Sequence, residues 1–79
     1  MAGNQLAMSK LRDRFERNLK IIFALHPKKR MTLKQLADKF GVHERTIRRD
    51  IDFLSCFIPI YQDKQGFTII DRWWKQFEQ

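Results

Sequence analysis

Between residues 32 and 55 the hydrophobic positions follow the period of an α-helix in two short blocks. Apolar residues that recur three and four positions apart share one face of a helix, so each block supplies one buried stripe. The stripe of the first predicted helix consists of Leu33, Leu36, Ala37 and Phe40. The stripe of the second, which spans about residues 44–55, consists of Ile47, Ile51 and Leu54.

The ends of these two helices carry specific signals. Thr32 and Gln35 have the spacing of a capping box, in which each side chain accepts a hydrogen bond from the other residue's backbone N–H, so a helix begins here. Gly41 can adopt the left-handed conformation that ends a helix, Val42 fills the turn, and His43 occupies the next N-cap, where Ser, Thr or Asp is more usual. Two short helices joined by such a turn predict a helix-turn-helix, whose second helix enters the DNA major groove.

A longer helix is predicted before this unit. Ser9 can cap it, and Pro27 ends it because proline lacks a backbone N–H and disfavours a helical residue before it. Residues 1–8 are expected to form a flexible N-terminal arm. The predicted buried face of the long helix consists of Leu11, Phe15, Leu19, Ile22 and His26.

The hydrophobic period changes after Cys56. Residues 58–61 and 67–70 are rich in β-branched and aromatic side chains and predict two strands, joined by a polar turn at residues 62–66. Pro59 restricts its strand to a sheet edge. A hairpin directly after a helix-turn-helix is a wing.

The last predicted element is a short C-terminal helix at residues 71–79, which Asp71 can cap. We expect its aromatic stripe to pack on the first helix, although such residues also suit a dimer interface. The stripe consists of Ile70, Trp73, Trp74 and Phe77. Together these elements predict a mostly α fold with a small β-hairpin. It is a winged helix-turn-helix with a three-helix core and a two-stranded wing, with the domain at residues 9–70.

Composition and charge agree with one small nucleic-acid-binding domain. A chain of 79 residues with 43% hydrophobic residues folds as one domain with a limited core. Its net charge of +7 indicates a polyanionic partner. Residues 1–30 carry eight bases and two acids, whereas residues 31–55 have a net charge of +1 and residues 56–79 are neutral. We therefore predict that the N-terminal segment supplies much of the affinity for DNA, while the second helix of the helix-turn-helix selects the sequence.

The candidate DNA contacts divide by the part of the DNA that they would meet. Turning 100° per residue from Ile47 places Arg45 and Arg49 opposite the buried stripe. An arginine there can bind guanine through two hydrogen bonds. The candidates for base contacts are His43, Glu44, Arg45, Arg48 and Arg49. The candidates for phosphate contacts are Arg14, Arg17, Lys28, Lys29, Arg30, Thr32, Lys34 and Thr46, and the wing offers Lys64 and Gln65.

Acidic residues share the predicted recognition helix with these arginines. Glu44, Arg48 and Asp52 lie four positions apart and are expected to form a ladder of ion pairs. Such a ladder would hold part of the basic charge inside the helix.

The run LADKFGVHERTIRRDIDFL at residues 36–54 closely resembles the winged helix-turn-helix of the DeoR family of bacterial transcriptional regulators. The matching pieces are leucine-alanine, glycine-valine and TIRRDI, and the Gly66-Phe67 end of the hairpin is also similar. The resemblance implies a DNA-binding regulator. His43 stands where that family usually has serine. The sugar-phosphate-sensing domain that usually follows is expected to be absent, because the chain stops at Gln79, so no small-molecule effector is predicted.

The residues give little support for catalysis. The sequence has no Gly-rich phosphate loop and no Ser-His-Asp arrangement, and two His with one Cys lack metal spacing, so we expect no enzyme activity, metal or cofactor. Cys56 is expected to be a small buried hydrophobe, and His26 a packed core residue. No apolar run approaches the roughly 18 residues of a membrane span. We therefore expect a cytoplasmic, nucleoid-associated protein with no membrane partner.

Three functions compete. The leading hypothesis is a sequence-specific regulator of bacterial, phage or plasmid origin that binds double-stranded DNA as a homodimer and acts as a repressor. A second is a DNA-architectural or excisionase-type factor, which would bend DNA. A third is a winged-helix protein-interaction module whose aromatic residues Trp73, Trp74 and Phe77 dock on a larger assembly.

Overall fold

A computed structural model of the chain describes residues 2–26 and 29–78, with side chains from Lys10 onwards. Its elements, in chain order, are α1 (Ala2–Ala24), α2 (Leu33–Phe40), α3 (Glu44–Leu54), β1 (Ile60–Asp63), β2 (Gly66–Ile69) and α4 (Asp71–Lys75). This order confirms the predicted mostly α fold with a hairpin wing. The roles expected of Pro27 and Lys28 lie outside the described residues. Within those residues, no helix is both long and apolar enough to cross a membrane.

The helix-turn-helix forms as its local signals predict. The Thr32 side chain accepts a hydrogen bond from the Gln35 backbone N–H at 3.1 Å, and the Gln35 side chain accepts one from the Thr32 N–H at 2.9 Å. Gly41 ends α2 in the left-handed region, with φ of 66°. His43 is the N-cap of α3 but makes no side-chain capping hydrogen bond. The turn therefore depends on the glycine and on packing more than on its second cap.

One hydrophobic core joins α1, the helix-turn-helix and the wing segment. The predicted stripes of α2 and α3 supply Leu36, Ile47, Ile51 and Leu54, all of them buried. These residues pack with Ile21 and Leu25 of α1 and with Ile58, Phe67 and Ile69 of the wing segment. Helix α3 thus shares one core with α1 and with the wing segment.

The wing is a two-stranded antiparallel sheet with a tight turn. Its register runs from Ile60 opposite Ile69 to Asp63 opposite Gly66, which leaves a turn of two residues, Lys64 and Gln65. The Asp63 side chain accepts a hydrogen bond from the Gln65 N–H at 2.8 Å and braces this turn. The predicted five-residue turn is too long, because its outer residues belong to the strands.

A close backbone contact fixes the wing to the start of α2. Met31 and Phe67 exchange two backbone hydrogen bonds of 3.2 and 2.8 Å, so β2 lies between β1 and the Met31 segment. Gly66 has a φ of 130°, and a Cβ there would lie 2.5 Å from the Met31 carbonyl carbon. Only glycine permits both this backbone conformation and this approach.

Helix α1 departs from its predicted form in two ways. It begins at Ala2, so residues 2–8 of the expected flexible arm are helical and Ser9 does not cap the helix. Its buried side contains Asn18, Ile21 and Leu25. The expected core residues Leu11, Phe15, Leu19 and His26 are exposed, and Ile22 is half-buried. Apolar residues cover two adjacent faces of this helix, and only the packing against α3 decides which of the two is buried.

The C-terminal helix packs on α1, as predicted. The Trp74 ring lies 6.1 Å from the Phe23 ring and 5.5 Å from the His26 ring, centroid to centroid. Asp71 does not cap α4; it pairs with Lys75 at 3.4 Å instead. The prediction that Cys56 is buried is wrong, because this side chain is exposed at the end of α3.

Candidate nucleic-acid interface

Three arginines project from the outer face of α3. Arg45, Arg48 and Arg49 are all exposed, opposite the buried stripe of Ile47, Ile51 and Leu54. Among the described residues, none of the three forms an ion pair. The expected ladder with Glu44 and Asp52 is therefore absent, which fits the small net free energy of exposed pairs. The positive charge of this face is fully available to an external anion.

The acid between these arginines and the core has a different role. Asp50 is 2% exposed and accepts hydrogen bonds from Arg17 Nε at 2.5 Å and Arg17 Nη2 at 3.3 Å. This two-point ion pair joins α3 to α1 across 33 positions of sequence. The Arg17 guanidinium thus compensates a buried carboxylate, and its predicted phosphate contact stays a prediction.

Arg14 lies beside the same ion pair. Its Nε is 4.0 Å from Asp50 Oδ1, and its guanidinium carbon is 5.3 Å from the centre of the Phe53 ring. A cation over an aromatic face is attracted by the ring quadrupole. Arg14 is half exposed, so its predicted phosphate contact stays a prediction, but its position is set by α3.

Arg30 is also committed within the protein. It forms an ion pair with Asp63 of β1, and its Nη2 donates a hydrogen bond of 3.2 Å to the Tyr61 hydroxyl. The hydrogen bond to Tyr61, together with the Asp63 charge, raises the pKa of the Arg30 guanidinium. These contacts connect the loop before α2 to the wing, and the predicted phosphate contact of Arg30 stays a prediction. Lys29, in the same loop, is exposed.

A surface groove brings the wing and the two helix N-termini together. Its lining includes Thr32 and Lys34 from the start of α2, Glu44 from the start of α3, and Lys64 from the wing turn. Lys64 and Gln65 are exposed at the tip, whereas Thr46 is half-buried. Helix N-termini present unpaired N–H groups and favour anions. Four residues predicted to contact DNA thus surround one concave surface.

His43 lines a second surface pocket together with Glu44, Arg45 and Thr46. The imidazole is exposed and does not cap α3, so it is not required for the turn itself. Its predicted position near the DNA stays a prediction.

Sequence reasoning missed the acids that hold the paired arginines. Asp50 lies at the edge of the buried stripe of α3, where an acid needs a basic neighbour. That position was the available signal. Its partner could not be assigned without knowing that Ile21 and Leu25 define the buried side of α1. Asp63 gave no comparable signal, because it lies in a polar turn segment.

Fold and surface together define a winged helix-turn-helix domain, a class that binds DNA through its second helix. A family model described as an HTH domain matches residues 17–68 of the chain. The chain belongs to this helix-turn-helix domain family. No curated protein and no solved structure gives a significant match.

Proposed function

We propose that the protein is a sequence-specific transcriptional regulator that binds double-stranded DNA. The observation that carries this proposal is the free basic face of α3. Its three exposed arginines, Arg45, Arg48 and Arg49, have no acidic partner among the described residues. Like charges clustered on one helix repel, and an anionic partner removes that cost.

In the proposed complex α3 lies in the major groove. Arg45 and Arg49 contact base edges, and Arg48, nearer the side of the helix, contacts a base or a phosphate. Each two-point contact between arginine and guanine discriminates by about 1–3 kcal/mol. His43 and Glu44, at the N-terminal end of α3, meet the bases nearest the helix start.

The phosphate backbone is held by the residues around the groove. Lys34 and Thr32 at the start of α2 and Lys64 of the wing line the groove, and Thr46 and Gln65 lie on the same two elements as Glu44 and Lys64. Such contacts fix the register of the protein on the duplex without selecting a sequence. Lys29 extends this basic border towards α1.

We further propose repression as the mode of action, by occupation of a promoter. The resemblance of TIRRDI at residues 46–51 to DeoR regulators supports a bacterial or phage origin and a similar docking mode. No effector site forms part of the proposal.

The direct test is selection of bound sites from random double-stranded DNA. The wild-type protein should enrich a defined motif, while a variant with both Arg45→Ala and Arg49→Ala should not. Arg72→Ala is the matched control, because Arg72 is an exposed arginine on α4 outside the proposed interface. Failure of the wild-type protein to bind any duplex at low salt would contradict the proposal.

Exposed aromatic residues support a second candidate, a protein-interaction module. Phe57 and Phe77 are both largely exposed. In that case a Phe57→Ser or Phe77→Ser variant would lose the protein's activity in the cell, whereas the variant with Arg45→Ala and Arg49→Ala would retain it. The DNA-binding proposal predicts the reverse order.

A further inference from the structure

Helix α1 carries an exposed apolar stripe, which we define as Leu11, Phe15, Leu19 and Phe23. These residues are four apart, so they form one continuous line on the helix surface. Their exposed fractions are 66%, 63%, 40% and 71%. Single exposed apolar residues are ordinary, but a contiguous line of large ones marks an interaction surface.

We propose that this stripe pairs antiparallel with the stripe of a second copy of the chain, around a two-fold axis near Phe15. The pairing deepens the proposed function by naming the protein partner, and only its consequence for DNA rests on that function. Leu11 then faces Leu19 of the second copy, and Phe15 faces its own equivalent. We propose a second copy as the partner because the apolar stripe of one copy can pack on that of the other, and the charges beside it are of opposite sign.

The exposed area is adequate for a stable dimer. Aromatic side chains bury about 150–250 Å² each, so Phe15 and Phe23, each about two-thirds exposed, together offer roughly 270 Å², to which Leu11 and Leu19 add. A standard interface buries about 800 Å² on each partner, of which slightly more than half is apolar. The stripe therefore supplies most of the apolar share, and the polar residues beside it add to the interface.

Charges beside the stripe determine the orientation. Arg12 and Glu16 lie on its solvent side, both exposed and, among the described residues, without an ion pair. In an antiparallel pair with its axis near Phe15, Arg12 of each copy lies within one helical turn of Glu16 of the other. On the opposite side of the stripe, Asn18 and Ile21 are buried against the domain.

A parallel pair would lose these contacts. It would place the solvent side of one stripe against the buried side of the other, where the rest of the domain stands. It would also place helix ends of the same partial charge side by side, whereas an antiparallel pair places ends of opposite partial charge together. The antiparallel pair is isologous, so the two copies of α3 are related by a two-fold axis and suit inverted DNA half-sites.

Light scattering of the full chain tests the pairing without DNA. The wild-type protein should have twice the mass of the 9.6 kDa chain. Phe15→Glu should halve this mass at the same concentration, and Asp13→Lys, on the other side of α1, should leave it unchanged. Circular dichroism checks that Phe15→Glu still folds, as its exposure predicts. A wild-type monomer at all concentrations, or a Phe15→Glu dimer, would overturn the proposal.

Cysteine cross-linking tests the orientation, in a Cys56→Ser background because Cys56 is exposed. Phe15→Cys should form a disulfide-linked dimer under mild oxidation, whereas Leu11→Cys alone should not. A mixture of Leu11→Cys and Leu19→Cys proteins should cross-link to each other. Efficient cross-linking of Leu11→Cys to itself would mean a parallel pair and would overturn the antiparallel arrangement.

The DNA consequence is measured separately. Phe15→Glu should bind a single half-site as the wild type does, but it should bind an inverted repeat at least about tenfold more weakly, because the link between the two domains is lost. If the wild-type protein did not bind a half-site, the proposed function would be contradicted. The dimer would not be, since the mass measurement is independent of DNA. Equal binding of the inverted repeat by both proteins would contradict a role for the dimer.

Discussion

The arginines of this domain fall into two groups of the same chemistry and opposite use. Arg17 and Arg30 are paired with Asp50 and Asp63 and join separate parts of the fold. Arg45, Arg48 and Arg49 on α3 are exposed and, within the described chain, unpaired. The two groups cannot be distinguished by residue type, because all five are arginines. They differ in whether an acidic side chain of another element lies close enough to pair with them.

This comparison changes the predicted division of labour along the chain. The net charge of +6 in residues 1–30 includes Arg17 and Arg30, whose charges are neutralised within the fold. The arginines of α3 keep theirs. We therefore expect α3 and the wing to supply more of the affinity than the sequence indicates. The contribution of Lys10, Arg12 and Lys20 on α1 stays a prediction.

Removal of Arg17 should have the largest effect on stability. Arg17→Ala leaves the Asp50 carboxylate buried without its partner, which costs about 3–5 kcal/mol in comparable pairs. Lys20→Ala, an exposed change on the same helix, should alter the free energy of unfolding by less than about 0.5 kcal/mol. Urea denaturation measures both.

A double variant separates charge from shape. Arg17→Met with Asp50→Leu removes both charges and should recover most of the stability that Arg17→Ala loses. If Arg17→Ala were no more destabilising than Lys20→Ala, the assignment of Arg17 to the structural group would be wrong.

Substitution in the free group should have the opposite signature. Arg45→Ala, Arg48→Ala and Arg49→Ala should each weaken DNA binding by about 1–3 kcal/mol. Their free energies of unfolding should stay within about 0.5 kcal/mol of the wild type. Titration of a selected duplex, with Arg72→Ala as control, provides the comparison; a loss of stability in any of the three would place that arginine in the structural group.

Arg30→Ala should give an intermediate result. Its ion pair with Asp63 is partly exposed, so the loss of stability should be smaller than for Arg17→Ala. DNA binding should also weaken, because the wing is no longer tied to the loop before α2. Hydrogen exchange of the β1 and β2 amides would detect that release, and unchanged exchange would show that the Met31 bridge alone holds the wing.

Lys64→Ala should have the smallest effect. A phosphate contact from the wing turn should weaken binding about equally on all sequences and reduce the slope of log affinity against log salt by about 1. Gln65→Ala, in the same turn, carries no charge and should leave that slope unchanged. A sequence-dependent effect of Lys64→Ala would instead indicate contact with bases.

Local signals predicted most of the helix-turn-helix. The Thr32 capping box, the Gly41 turn and the buried stripe of Ile47, Ile51 and Leu54 each depend on residues a few positions apart. Such short-range preferences are visible in the sequence. The wing hairpin was also predictable from short-range signals, although the predicted turn was too long.

Long-range packing accounts for the errors. The face of α1 that is buried depends on where α3 lies, so Ile21 and Leu25 could not be preferred over Leu11 and Phe15 from periodicity alone. The pairing of Arg17 with Asp50 spans 33 positions. The exposure of candidate site residues on α3 could be predicted from the buried stripe of that one helix. The exposure of those on α1 and in the loop after it depends on how the whole domain packs.

The most direct test of sequence selection by the free arginines measures how Arg49→Ala changes base preference. Wild-type and variant proteins are titrated against the selected site and each of its single-base-pair changes. We predict that Arg49→Ala binds the selected site more weakly and loses discrimination at one base pair while keeping it elsewhere. An equal loss of affinity on every sequence would contradict sequence selection by α3, because Arg49 would then contact only phosphate.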